Sequence, residues 1–173
     1  MLIIFAGLPG AGKTALASAL SRRIGATYLR IDRIEQAITN SRLGIQPTED
    51  AGYMVGYALA EDNLGNGRTV IADSVNPLEL TRAAWLEVAE RAGRPGVEVE
   101  VICSDEVEHR NRIERRTTDI PGLRLPSWRD VLAREYHPWT RDRIVVDTAG
   151  RSIERCVDDL LTRLPGLPSP GGG

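Results

Sequence analysis

The sequence is poor in lysine, cysteine and net charge, and these shortages exclude several classes of protein. A formal net charge of −2 leaves no basic footprint for a long nucleic acid, although a local basic patch is compatible with it. The two cysteines, Cys103 and Cys156, match no metal-binding or redox spacing, so we expect reduced structural thiols. No apolar run approaches a membrane span, and residues 2–6 are too short for a secretory signal. We therefore expect a cytoplasmic protein that does not contact a membrane.

Lysine is almost absent, and its one occurrence is informative. Of 22 lysine and arginine residues, only Lys13 is a lysine. It lies in the octet GLPGAGKT at positions 7–14, which follows the P-loop pattern G-x-x-x-x-G-K-T. A compact ammonium can reach between phosphates that backbone N–H groups already surround, whereas a guanidinium is a wider planar fork. We predict that the octet binds ATP and that Thr14 binds Mg²⁺. The nucleotide-binding residues of the octet are predicted to be Gly7, Gly10, Ala11, Gly12, Lys13 and Thr14.

Apolar segments and helical segments alternate along the chain, which predicts a doubly wound α/β fold with a mostly parallel five-stranded sheet. The P-loop between the first strand and helix indicates a three-layer P-loop NTPase fold of the nucleoside-kinase type. We predict a single domain over residues 1–163, with a lid around 110–128 and a flexible tail at 164–173. The predicted strands are 2–6, 27–31, 69–72, 97–103 and 143–147. The predicted helices are 14–24, 32–40, 48–64, 77–92, 105–117, 127–136 and 152–163.

Polar side chains at the ends of predicted strands are candidates for the chemistry, because strand C-termini line the ligand crevice of an open α/β sheet. Asp32 follows the second strand and could accept a proton from an acceptor hydroxyl, or it could only cap the next helix. Asp73 ends the third strand and is placed to hold Mg²⁺, with a turn-forming role as the alternative. Asn76 follows it, and we weigh contact with substrate against a role in the turn.

An arginine-rich helix precedes a loop punctuated by proline and glycine. Arg112, Arg115 and Arg116 lie within about one helical turn of one another, and Arg124 lies in the loop. They could clamp the transferring phosphoryl group as part of a lid. Because glutamates are interspersed, a solvated face with ion pairs is the alternative. Two tyrosines, Tyr53 and Tyr57, share a helical face and are expected to pack in the core rather than stack on an acceptor.

Taken together, the chain resembles the group of P-loop kinases that includes polynucleotide kinase, chloramphenicol phosphotransferase and zeta toxin. The resemblance rests on the octet at 7–14, on Asp32, on residues 70–76 with the later Arg82 and Trp85, on the arginine helix at 110–116 and on residues 144–148. It implies phosphorylation of a hydroxyl with ATP and Mg²⁺, with Asp32 as the general base. It also implies that Asp147 and Thr148 lie beside the adenine.

The sequence departs from this group beside the predicted base. Members similar to polynucleotide kinase carry an arginine three residues after the base, whereas this chain has Glu35 there and Arg33 next to the base. We therefore expect a small-molecule hydroxyl acceptor that contacts Asp32, Arg33, Asp73, Asn76 and Arg124. The alternatives are a nucleic-acid 5′-hydroxyl kinase and a nucleotide-binding regulatory or toxin-type module. The protein is expected to be a monomer or a homodimer.

Overall fold

The computed structural model of this chain describes residues 1–42 and 47–166 and shows a fully parallel sheet. The five strands lie in the order β2-β3-β1-β4-β5. This arrangement confirms the predicted α/β fold, and each strand begins and ends within one or two residues of its predicted bounds. The strands are β1 (Leu2–Ala6), β2 (Thr27–Arg30), β3 (Val70–Asp73), β4 (Gly96–Ile102) and β5 (Ile144–Asp147).

Helices connect the strands, as the alternation of segments predicts. They are α1 (Lys13–Ile24), α2 (Ile31–Thr39), α3 (Ala51–Gly65), α4 (Glu79–Arg91), α5 (Glu106–Arg115), α6 (Trp128–Leu132) and α7 (Ile153–Arg163). None of them is both long and apolar enough to cross a membrane, as judged over residues 1–42 and 47–166. The predicted flexible tail lies outside the described residues from position 167 onward, and so does part of the loop before α3.

The largest departure from the predicted elements is α6, which was expected to extend to residue 136 and ends at Leu132. A capping box begins this helix, because the Ser127 hydroxyl accepts from the Asp130 N–H and the Asp130 carboxylate accepts from the Ser127 N–H. Residues after it turn back toward α4 instead of continuing the helix. The carbonyls of His137 and Pro138 accept hydrogen bonds from Arg82, which holds this segment in place.

Two apolar cores cover the two faces of the sheet, and the alternation of side chains along β1 shows how they form. Ile3 and Phe5 face the layer built by α1 and α7, whereas Leu2 and Ile4 face α3 and α4. All four side chains are fully buried. A central strand with both faces covered explains why its sequence is continuously apolar rather than alternating.

The strand order places the segments with chemical groups at one edge of the sheet. β1 leads into the P-loop, and β3 pairs directly with β1, with Phe5 opposite Asp73. β2 lies on the other side of β3 and leads into Asp32. The C-terminal ends of three neighbouring strands therefore bring the octet, Asp73 and Asp32 together, as expected at the crevice of a doubly wound sheet.

Close packing of α3 against α2 and α4 gives a test of this core. A Cβ at Gly56 would lie 2.5 Å from Ile31 Cδ1 and 3.2 Å from Trp85 Cη2. Gly56→Ala should therefore lower the free energy of unfolding by about 1–3 kcal/mol, because overpacking forces its neighbours to shift. Gly65→Ala, in the same helix with open space around the new methyl group, should be neutral or slightly stabilising. Urea denaturation measures both, and equal stability of the two variants would contradict this packing.

Candidate active site

The P-loop takes a backbone conformation with positive φ at Gly7, Gly10 and Gly12, which favours glycine at all three positions. Gly12 caps the N-terminus of α1 with φ at 97°. Gly7 has φ at 135°, and a Cβ there would lie 2.1 Å from the Val101 carbonyl oxygen. The Gly7 N–H donates to the Val75 carbonyl at 3.1 Å, which ties the start of the loop to the segment after β3. Only glycine combines this backbone conformation with so close an approach.

Side chains from distant parts of the chain support the outer side of the loop. The His109 ring contacts the Pro9 carbonyl, with Nε2 and the oxygen 2.7 Å apart. The Thr148 hydroxyl donates to the Ala11 carbonyl at 2.8 Å and accepts from Arg112 at 2.7 Å. Sequence reasoning assigned His109 no role, and an isolated histidine offered no signal for this one. Thr148 contacts the P-loop itself, beside the region where the resemblance expects adenine.

Lys13 is buried in the loop that surrounds it. Its ammonium donates to the Leu8 carbonyl at 3.1 Å. Burial lowers its pKa to about 8, the carboxylates of Asp73 and Asp32 oppose that fall, and the nearby guanidiniums of Arg116 and Arg134 add to it. The surrounding carboxylates therefore neutralise the ammonium only in part. Phosphate oxygens would supply the remaining negative charge, so the site favours an anionic partner.

Asp73 lies beside Lys13 at the end of β3 and is also buried. Burial raises the pKa of its carboxyl group, and the Lys13 charge with hydrogen bonds from Tyr28 and Thr14 partly counteracts the rise. The Tyr28 hydroxyl donates to Asp73 Oδ2 at 2.7 Å. Thr14 and Asp73 therefore place hydroxyl and carboxylate oxygens side by side, which are the donors that Mg²⁺ prefers. Tyr28 was not predicted, because a tyrosine in a strand carries no signal for such a contact.

A cavity of about 860 Å³ joins these groups to the predicted base. Lys13, Thr14, Asp73 and Asp32 all line it. Asp32 lies in the first turn of α2, whereas Arg30 is the N-cap residue and no side-chain cap is formed. The capping role considered for Asp32 is therefore not what the structure shows.

The predicted lid arginines separate into two groups. Arg116 and Arg124 line the cavity, as does Arg134 from the segment after α6. Arg112 instead binds the Thr148 hydroxyl and carbonyl and pairs with Glu108, while Arg115 is exposed and does not line the cavity. The solvated, ion-paired face considered as an alternative thus describes part of α5. Arg134 had no distinguishing pattern in the sequence.

The loop after α5 is fastened beside the cavity by contacts with the β2–α2 segment. Arg30 donates twice to the Asp119 carboxylate, at 2.8 and 3.0 Å. The Asn40 amide donates to the Pro121 carbonyl at 3.4 Å, near the limit for a hydrogen bond. Residues of this loop therefore line one side of the cavity, and they belong to the segment predicted to act as a lid.

Other predicted site residues also lie away from the cavity wall. The Asn76 amide is fully buried and donates to the Phe5 carbonyl at 2.8 Å, so it joins β1 to the turn after β3. Arg33 is exposed and lines a separate apolar depression between α2 and α3. Asp147 accepts from the N–H groups of Ser104 and Ala149 and so shapes the turn after β5.

Two residues on the α2–α3 wall line the cavity although neither was predicted to bind substrate. Glu35 lies one turn after Asp32, and burial together with the Asp32 charge raises its pKa to about 7, against the influence of Arg134. Tyr53 lines the same wall, and burial chiefly raises its pKa to about 12. Tyr53 and Tyr57 both pack against the core as expected, and the Tyr57 ring meets Trp85 edge-on at a centroid distance of 4.5 Å.

Comparisons with known proteins agree with this arrangement. A family model described as an AAA domain matches residues 2–134. A solved structure described as a kinase from Chloroflexus aurantiacus has a TM-score of 0.70 at 20% identity, over 94% of each chain. Kti12 from Chaetomium thermophilum, in complex with ADP-AlF3, has a TM-score of 0.68 at 20% identity over 96% of this chain and 100% of its own. A gluconokinase from Sinorhizobium meliloti has a TM-score of 0.63 at 21% identity, over 92% and 89%. No curated protein sequence matches the chain.

The raised pKa of Glu35 predicts a pH-dependent effect of its replacement. Its ordinary pKa is 4.5 and its folded-state pKa is about 7, so the folded protein retains a proton that the unfolded chain releases between these values. Stability from this group is therefore lost as pH rises from about 4.5 to 7. Glu35→Gln should therefore raise Tm relative to wild type more at pH 8 than at pH 4.5. The two Tm changes should differ by about 1–3 °C, after allowance for solvent screening.

Calorimetric scans at the two pH values test this, with Glu90→Gln as the control. Glu90 is an exposed glutamate on α4, far from the cleft residues named above. Its replacement should shift Tm equally at both pH values. An equal shift for Glu35→Gln would mean that the carboxyl group is as well solvated in the folded protein as in the unfolded chain.

Proposed function

We propose that this chain, which belongs to the AAA domain family of P-loop NTPases, is a kinase. It transfers the γ-phosphoryl group of ATP to a hydroxyl of a small-molecule acceptor. One observation carries the proposal: the P-loop lysine, the Thr14–Asp73 pair and Asp32 all line one cavity of about 860 Å³. A nucleotide-binding switch has no need for a further carboxylate at the acceptor end of such a cavity.

The donor end of the cleft is formed by the P-loop. Its backbone N–H groups and the N-terminus of α1 bind phosphate oxygens, and the Lys13 ammonium neutralises charge between the β- and γ-phosphates. Thr14 and Asp73 would hold Mg²⁺, which when bound neutralises phosphate charge and orients the phosphates. The Tyr28 hydroxyl keeps the Asp73 carboxylate directed toward Thr14.

Asp32 acts at the acceptor end as the general base. The acceptor O–H bond breaks and its proton passes to the Asp32 carboxylate while the oxygen forms a new bond to the γ-phosphorus. The bond from that phosphorus to the bridging oxygen breaks, and ADP leaves. Arg116 supplies positive charge to the phosphoryl group in transit, because it lines the cavity and acts on Lys13.

The size and polarity of the cavity favour a small acceptor over a polynucleotide. The loop that Arg30 and Asp119 hold in place forms part of the cavity wall, whereas a polynucleotide needs an open groove of positive charge. The α2 wall carries Asp32 and Glu35, which would repel a phosphodiester backbone. A 5′-hydroxyl kinase activity on nucleic acid therefore has no support in this wall, and the resemblance to polynucleotide kinase is confined to the shared catalytic pattern.

Replacement of Lys13 and of Asp32 should separate nucleotide binding from transfer. Lys13→Ala should weaken ATP binding and abolish transfer. Asp32→Asn should leave ATP binding within about twofold and lower turnover by roughly 10²–10⁴-fold, because only the proton acceptor is lost. Binding is measured by titration with a fluorescent ATP analogue, and transfer as ADP formation stimulated by a panel of hydroxyl compounds. Asp62→Asn, an exposed change on α3, is the control, and full activity of Asp32→Asn would refute the assignment of the base.

The arginines at the end of α5 provide a second, matched comparison. Arg116→Ala should lower turnover by about 10²-fold, since it removes a charge directed at the phosphoryl group. Arg115→Ala removes the neighbouring exposed arginine outside the cavity and should change turnover by less than about twofold. The same ADP assay measures both, and equal losses would show that α5 contributes only its overall charge.

A further inference from the structure

The acceptor end of the cavity carries carboxylates that the proposed reaction does not use, and Glu35 is one of them. Asp32 and Glu35 lie one turn apart on α2, and both line the cavity. Among the described residues, no hydrogen bond or salt bridge engages either carboxylate, although the Arg134 guanidinium faces Glu35 from the segment after α6. Asp32 has a role as the base, whereas Glu35 has none in the transfer.

The position of Glu35 is built into the packing of α2 against α3. A Cβ on Gly52 would lie 2.2 Å from Glu35 Cγ and 3.2 Å from its carboxylate carbon. The buried backbone of Gly52 therefore provides the surface on which the Glu35 stem rests, and any larger residue there would displace it. The carboxylate is held at the wall of the cavity and is not free to move out into solvent as a surface glutamate would be.

A second polar group lines the same cavity. Ser74 is 4% exposed, and its hydroxyl lies near the Tyr53 hydroxyl without a hydrogen bond of standard geometry between them. A buried hydroxyl with no well-formed hydrogen bond is costly, and one that faces a cavity is satisfied by what fills that cavity. The wall formed by Glu35, Tyr53 and Ser74 thus presents an anion and hydroxyl groups to an acceptor.

The charges of the cleft are divided between its two ends. Arg116 acts on Lys13 and so lies toward the phosphates, whereas Arg134 acts on both Lys13 and Glu35. Asp32 and Glu35 act on Tyr53 and so lie toward α3, and Glu49 and Asp50 line the cavity at the start of that helix. An acceptor with a carboxylate or phosphate would bring a like charge to this wall, whereas an ammonium would find opposite charge there.

We propose that the acceptor is a hydroxylated amine whose ammonium group pairs with Glu35 while one of its hydroxyls approaches Asp32. This inference rests on the proposed kinase function and adds the class of substrate. Glu35 is then a specificity residue that touches the acceptor, and Ser74 donates to or accepts from a second hydroxyl of the same molecule. The pairing fixes the distance between the charged end of the acceptor and the hydroxyl that reacts.

A matched set of three linear polyols tests the proposal. Glucamine, glucitol and gluconate differ only at the first carbon, which carries an ammonium, a hydroxyl or a carboxylate. Their affinities are measured calorimetrically at pH 8 in the presence of Mg²⁺ and a non-hydrolysable ATP analogue, so that no transfer is required. Glucamine should bind at least tenfold more tightly than gluconate, with glucitol between them, which corresponds to about 1.4 kcal/mol or more.

Two variants assign the preference to Glu35. Glu35→Gln should weaken glucamine binding about tenfold and change glucitol binding by less than twofold. Gly52→Ala should also reduce the preference, although it changes no charge, because it displaces the Glu35 stem. Glu90→Gln should keep the wild-type order, and Tm measured for each variant verifies that it is folded.

The outcomes distinguish this proposal from the proposed kinase activity. Tighter binding of gluconate, equal binding of the three compounds or binding of none would overturn the amine acceptor. An unchanged preference in Glu35→Gln would overturn it as well. If the order holds but no bound polyol and no other hydroxyl compound is phosphorylated from ATP, the amine site stands and the kinase activity fails.

Discussion

The burial of one ammonium group beside a buried carboxylate is the constraint on which the rest of this structure depends. Lys13 begins α1 after the P-loop and Asp73 ends β3, and each is stabilised in its charged form partly by the other. Burial works against both charges, so the pair requires further contacts to remain in place. The Tyr28 hydroxyl supplies one to Asp73, and the Leu8 carbonyl supplies one to Lys13. A nucleotide with its metal ion would complete the neutralisation, which makes the site receptive to that ligand.

The near absence of lysine is explained by what the arginines do elsewhere. Arg82 is fully buried, donates to the carbonyls of Asn76, Pro77, His137 and Pro138, and stacks on the Tyr136 and Trp139 rings. Arg112 binds Thr148 at two atoms and so connects α5 to the turn that supports the P-loop. A guanidinium offers five donors in a fixed plane, whereas an ammonium cannot bridge several carbonyls in this way. The protein uses arginine to hold segments together and reserves its lysine for the phosphate site.

The cleft is polarised along the direction in which a phosphoryl group would move. Arg116 acts on Lys13 at the donor end, Arg134 acts on both Lys13 and Glu35, and Asp32 and Glu35 line the acceptor wall. The loop that follows α5 lines this cavity and is joined to the end of β2 by the ion pair between Arg30 and Asp119, in which Arg30 is largely buried and Asp119 is exposed.

Local pattern in the sequence determined the parallel fold, the P-loop and the placement of Asp32 and Asp73 at strand ends, because each depends on residues close to one another in the chain. Hydrophobic runs define strands, and the octet carries its own conformational requirement in Gly7 and Gly12. Only the tertiary structure decided which distant groups meet. His109 reaches Pro9 across 100 residues, Arg134 faces Lys13, and Asn76 and Arg33 lie away from the cavity wall. Contacts of this kind follow from strand order and helix packing, and no single segment of the sequence contains a signal for either.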